Sequence, residues 1–160
     1  MRMNRVPFIL LGVLVAFLLV RGMTGGGSAG VAPKPAVFAP MSFSAAQYAA
    51  QTGGKLLLVK VSADWCPPCQ MMNRDTFVDA GVVSWLQQRA VTIEVDADQQ
   101  ADLASQLNIS SLPTMLVFAP GAAEPIARAE GYMSASELLR WLEAASAKQP
   151  GMNTPPAGPG

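Results

Sequence analysis

The sequence predicts an α/β domain: a central mixed sheet of about four strands flanked by helices, preceded by an apolar N-terminal helix. Three observations carry this. Short aliphatic runs bounded by turn residues alternate with segments of helical periodicity. The last two strand candidates are separated by a Pro120-Gly121 turn and so pair antiparallel, whereas the earlier ones are separated by helices and can pair parallel. The chain opens on an uncharged apolar run from Val6 to Val20 with Arg2 and Arg5 ahead of it.

That opening run is fifteen residues long. As a helix it spans about 22 Å, short of the roughly 30 Å hydrocarbon core. Two readings stay open. Residues 1–21 are a signal peptide, cleaved in the small-residue stretch near Ala29-Gly30, or they are an uncleaved anchor over residues 6–21 in which Arg21 snorkels. The small residues lie several positions past the apolar run, which favours the anchor. Both readings place the remainder outside the cytoplasm, on the periplasmic side. Residues 22–43, rich in Gly, Ala and Pro, read as a linker, residues 44–148 as the domain, and residues 149–160 as a disordered tail.

Within the domain, Ser44–Gln51 reads as a helix stopped by Gly53-Gly54, and Lys55–Val61 as an apolar strand. A helix begins at Pro67, where proline suits a first turn, and continues or resumes to about Gln88 through Phe77, Val78, Val82, Trp85 and Leu86. Val91–Val95 is a strand. Asp98 is placed to cap a helix carrying Leu103 and Leu107. Thr114–Ala119 and Ile126–Ala129 form the hairpin. Ser134 and Glu137 make a capping box for a last helix with Leu138, Trp141, Leu142 and Ala145 on one face. Trp85 and Trp141 read as core residues, and Trp65 as both packing and rim.

Composition narrows the chemistry. The chain has 160 residues, no histidine and two cysteines, and its formal net charge is zero. Without an imidazole, no mechanism that needs a histidine base or ligand applies. Two cysteines cannot alone complete a four-ligand zinc site. No basic cluster follows the first thirty residues, which argues against a nucleic-acid partner.

The cysteines lie in Trp65-Cys66-Pro67-Pro68-Cys69, where a strand runs into a helix start. Residues i and i+3 share a helical face, so the thiols can reach disulfide geometry. The positive end of the helix favours a thiolate at Cys66, the attacking species in exchange, and Cys69 then resolves the mixed disulfide. A structural disulfide is the plainer reading, but closing a three-residue loop constrains the unfolded chain little. Thiolate and thioether ligands also suit Cu(I), so a copper carrier using Cys66, Cys69 and Met71 or Met72 is an alternative. Those methionines equally read as packing.

The segment Ala63-Asp64-Trp65-Cys66-Pro67-Pro68-Cys69-Gln70 resembles the thioredoxin active-site segment. Ser111-Leu112-Pro113-Thr114 before a strand resembles the family's cis-proline loop, and Gly131 fits the pattern too. Asp75-Thr76-Phe77 and Gly131-Tyr132-Met133 look most like the C-terminal thioredoxin-like domain of the periplasmic thiol:disulfide interchange proteins. The resemblance covers roughly Ser44 to Ala147. It implies a protein-disulfide oxidoreductase, favoured in the reductase direction, whose cofactor is its own Cys66–Cys69 disulfide. It implies protein dithiols and disulfides as substrates, bound by backbone groups of Leu112 and Thr114 flanking Pro113, and a membrane electron donor.

Two departures from the family pattern bear on mechanism. Thioredoxins usually carry a buried Asp six residues before the first cysteine, where this chain has Lys60. By strand alternation Lys60 shares a face with Leu56 and Leu58. It then either lies beneath the cysteines, favouring the thiolate, or snorkels to solvent. In the first case no carboxylate base stands there, and Asp64 or water substitutes. Pro67 replaces the usual glycine, so with Pro68 it leaves Cys66 only Cys69 and Gln70 as N–H donors; fewer donors raise the thiol pKa and favour the disulfide.

Overall fold

The computed structural model describes residues 33–149. The apolar run at Val6–Val20 and the tail beyond Gln149 lie outside them. Among the described residues no helix is long and apolar enough to cross a membrane.

Helix α1 spans Phe43–Gly53. The Ser42 hydroxyl accepts from the Ala45 N–H, and the helix ends at Gly54, whose φ of 62° suits a residue without a Cβ. Strand β1, Leu56–Ser62, is buried at all seven positions. Helix α2 is short, Pro67–Met71, and passes into one π-helical turn over Met72–Thr76. Helix α3, Ala80–Arg89, restarts behind Asp79, whose carboxylate accepts from the N–H groups of Gly81 and Val82. Strand β2 is Ala90–Asp96 and helix α4 is Ala101–Gln106. The hairpin strands are β3, Thr114–Phe118, and β4, Pro125–Glu130. Helix α5, Ala135–Ser146, opens on the expected capping box of Ser134 and Glu137.

The sheet order is β2-β1-β3-β4. β1 pairs parallel with β2, and the β1–β3 and β3–β4 pairs are antiparallel. Strand alternation divides the core into two layers. Leu57, Val59, Val61, Ile93, Val95, Leu116 and Phe118 pack with Ala46 and Ala50 of α1, joined by Leu103 of α4. On the opposite face Leu56, Leu58, Met115 and Val117 pack with Met72, Phe77, Trp85, Leu86, Leu138 and Leu142. Pro125 has no N–H to donate and stands at the start of the edge strand, where the pairing register shifts beside Phe118.

Three sequence expectations need correction. The stretch read as a linker joins the domain at its C-terminal end: Phe38 is buried, stacks on Phe77 with centroids 4.7 Å apart, and is followed by Ala39, whose N–H donates to the Thr92 carbonyl. Asp98 does not cap α4. The residue before that helix is Gln100, without a side-chain cap, while Asp96 accepts from the N–H groups of Asp98 and Gln99 and shapes the turn. Trp141 is half-buried against the core rather than within it, whereas Trp85 is buried.

The capping box gives a direct test of the α5 terminus. Ser134→Ala removes an acceptor for the Glu137 N–H and should cost about 1 kcal/mol in urea unfolding. No change in the unfolding midpoint would mean that tertiary packing alone fixes the helix start.

Candidate active site

β1 delivers the chain out of the sheet at Ser62, and a tight turn carries it to Cys66, whose N–H donates to the Ala63 carbonyl. Pro67 and Pro68 then fill the first helical positions, where a missing N–H breaks no bond within the helix. Cys66 and Cys69 are joined as a disulfide with Cα atoms 5.3 Å apart. Both are nearly fully buried and pack with Ala63 and Leu112. The Leu112–Pro113 peptide is cis, and the Pro113 carbonyl accepts from the Gly131 N–H at 2.8 Å. The two motifs read from the sequence therefore meet at one place.

Of the two N–H donors expected for Cys66 Sγ, one reaches it. The Cys69 N–H points at the sulfur at 3.3 Å, whereas the Gln70 N–H is spent on the Cys66 carbonyl. Trp65 is two-thirds exposed and forms the rim, its indole N–H donating to Asp98 at 2.7 Å, so it packs less than expected. On this side of the disulfide lies a groove of about 640 Å³ whose walls include Trp65, Pro67, Pro68, Ile109 and Leu112. Thr114 stands behind it, buried in β3, its hydroxyl donating to the Ser111 carbonyl.

The other side is polar. A crevice of about 290 Å³ reaches Cys69 between Asp64, Gln70, Asn73 and Glu94. Lys60 lies behind this lining, bonded to Cys69, Asn73 and Glu94. This lysine does not snorkel: it is fully buried, and its ammonium donates to Glu94 Oε1 at 2.6 Å, to Asn73 Oδ1 at 2.6 Å and to the Cys69 carbonyl at 3.4 Å. The rings of Phe38 and Phe77 each lie 5.6 Å from it. Burial pushes the Lys60 ammonium below the ordinary lysine range, and the Glu94 charge offsets this only in part. Burial by itself would raise Glu94, but Lys60, Ser62 and Lys34 outweigh it and hold the carboxyl below its usual value.

The expectation that no carboxylate stands at this place is thus corrected. Glu94 arrives from β2, directly opposite Lys60 in the parallel register. Asp64 lies at the crevice mouth, exposed. Sequence reasoning misses Glu94 and Asn73 as members of the site. The one available signal is an acid in the otherwise apolar Val91–Val95 run. Of the methionines considered for copper, Met72 is buried in the core and Met71 is partly exposed.

A disulfide at a helix start, beside a cis-proline loop and between an apolar groove and a polar crevice, is the site of a dithiol–disulfide exchanger. A profile of the thioredoxin-like domain matches residues 43–146. The chain is 37% identical over 89 residues to the thioredoxin-like protein slr0233 of Synechocystis, covering 56% of this chain and 80% of that protein. It is 39% identical over 101 residues to the thiol:disulfide interchange protein DsbD of Yersinia enterocolitica, covering 59% of this chain but 17% of that protein. The solution structure of a thioredoxin from Thermus thermophilus superposes with a TM-score of 0.61 at 30% identity, covering 66% of this chain and 85% of that one. The chain belongs to the thioredoxin-like family of thiol–disulfide oxidoreductases.

The ion pair sets a pH-dependent prediction. The folded Glu94 carboxyl sits below its unfolded value, so its contribution is complete above the ordinary carboxylate range, about 4.3, and is lost as pH falls through the folded value. Glu94→Gln leaves a buried ammonium without its counter-ion and should cost about 3 kcal/mol at neutral pH. It should also flatten the acid limb of stability against pH. A variant as stable as wild type, with an unchanged acid limb, would show that the pair carries no net weight.

Proposed function

We propose that this protein is an extracytoplasmic protein-disulfide reductase that takes electrons from a membrane dithiol donor and passes them to protein disulfides. The observation that carries the reading is the Cys66–Cys69 disulfide at the start of α2, flanked by the apolar groove and the Pro113 loop. Cys66 attacks a substrate disulfide, with its thiolate favoured by the helix terminus and the Cys69 N–H. The mixed disulfide forms as the substrate's first sulfur leaves. Cys69 then attacks Cys66, releasing the second substrate thiol and restoring the internal disulfide. Leu112 backbone beside Pro113 borders the groove and would hold the substrate strand, while the Thr114 hydroxyl anchors that loop.

Direction and location rest on other observations. The similarity to a thiol:disulfide interchange protein points to electron relay. The Val6–Val20 run behind Arg2 and Arg5 supports export or anchoring. With Pro67 and Pro68 lacking N–H groups, one donor faces Cys66 Sγ, which disfavours the thiolate and favours the disulfide.

The full-length chain in detergent, equilibrated in thiol–disulfide buffers and quenched by alkylation, should show a reversible two-electron transition near about −270 mV or lower. A value near about −120 mV would reverse the direction. Cys69→Ser should accumulate a mixed disulfide with substrate and Cys66→Ser should form none. Trapping through Cys69 alone would overturn the assignment of nucleophile.

A further inference from the structure

The outer wall of the groove is the segment between α4 and β3, and its main chain is sparsely bonded. Asn108, at φ 52°, makes a left-handed turn that ends α4, with its N–H on the Ser105 carbonyl and the Ile109 N–H on the Ala104 carbonyl. Beyond Ile109, no backbone-to-backbone bond holds Ser110, Ser111 or Leu112 among the described residues. Ile109, Ser111 and Leu112 nevertheless line the groove. A wall with few bonds of its own depends on what reaches it from outside.

Side chains of the edge strand β4 reach it. Arg128 stands opposite Leu116 and Glu130 opposite Thr114, so both lie on the sheet face that α4 covers. The Arg128 guanidinium donates to the Leu107 carbonyl and, at 3.1 Å, to the Asn108 carbonyl, groups that a helix end leaves without partners. Glu130 Oε2 accepts from the Ser111 hydroxyl at 2.6 Å, and Oε1 stands 3.4 Å from Arg128. The Ser111 hydroxyl, with Arg128 beside it, holds the Glu130 carboxyl below its usual range. From the sheet side the Thr114 hydroxyl takes the Ser111 carbonyl. The wall is thus pinned at Leu107, Asn108 and Ser111 by side chains, while Arg128 and Glu130 stay outside the groove lining.

We propose that Arg128 and Glu130 are positioning residues for protein substrates, holding the Leu107–Leu112 segment as a preformed groove wall. The proposal rests on the reading of the groove as the substrate site. An extended protein segment lies along the wall, and ordering a loose wall at the moment of binding would weaken that binding. A small disulfide collides with Cys66 directly and needs no wall. Both side chains are partly exposed, and an ion pair of that kind adds little to global stability, so its loss acts locally. The two charges also balance one another and leave the cysteines without a net field from β4.

The test uses the full-length chain in detergent, reduced beforehand and mixed with excess insulin as the protein disulfide or with hydroxyethyl disulfide as the small one. Its oxidation is followed by acid quench and alkylation. Arg128→Met keeps the stem and removes the donors, and Glu130→Ala removes the acceptor for Ser111. Each should raise the half-saturating insulin concentration about fivefold at an unchanged limiting rate. The rate with hydroxyethyl disulfide and the equilibrium constant for reduction should stay at wild-type values. Arg128→Lys, still able to reach one carbonyl, should recover part of the loss. Folded Arg128→Met and Glu130→Ala chains with wild-type half-saturation overturn the proposal. So does equal slowing with both disulfides, which would place the effect at the cysteines. A wild-type chain that reduces hydroxyethyl disulfide but not insulin overturns it while leaving the exchange reading in place. A wild-type chain that reduces neither strikes the exchange reading itself, a separable result, and this proposal falls with it.

Discussion

Strand β1 is buried along its whole length and yet carries an ammonium at its fifth position. A lone buried charge costs several kcal/mol, so the structure around Lys60 has to answer it. The answer comes from the parallel register. Lys60 lies opposite Glu94, which turns the same face of the sheet toward α2. A slip of one residue would send every β2 side chain to the other face, leave Lys60 without its anion and bury Glu94 among the aliphatic residues against α1. Hydrophobic alternation and the ion pair therefore specify the same register, and the position of β1 relative to β2 decides where the chain emerges at Cys66.

The segment after β1 keeps the cysteines close to that charge. The two prolines start α2 without needing donors, and the short helix then widens into a π-helical turn at Met72–Thr76. That turn places Asn73 against Lys60 while Met72 stays in the core. Thr76 closes it by donating to the Met133 carbonyl at 2.7 Å, which ties the turn to the segment after β4. The neighbouring Gly131, at φ 85°, donates to Pro113. The active-site helix and the cis-proline loop are thus fastened to the same short segment.

Much of this architecture is legible in the sequence because it depends on local pattern. Alternation through Lys55–Val61 places Lys60 on the face of Leu56 and Leu58, and the structure keeps it there. The capping box at Ser134 and the helix start at Pro67 need only neighbours within one turn. Features that depend on distant partners are not legible. Glu94 is thirty-four residues from Lys60, and nothing in a single strand states its register with another. Asp98 has the chemistry of a helix cap, but Trp65 claims its carboxylate from across the groove. Phe38 lies in a Pro- and Ala-rich stretch whose composition describes a linker, and its burial depends on a gap beside Phe77 that only the folded sheet creates.

The two sides of the disulfide divide the proposed work. The groove by Trp65 and Leu112 is mostly apolar, suited to an extended substrate segment that must shed water before sulfur attacks sulfur. The crevice by Asn73 and Glu94 is polar and open to solvent, suited to admitting protons without exposing the reacting bond. On the groove side the two prolines leave one N–H facing Cys66 Sγ, and on the crevice side the buried Lys60 ammonium donates to the Cys69 carbonyl.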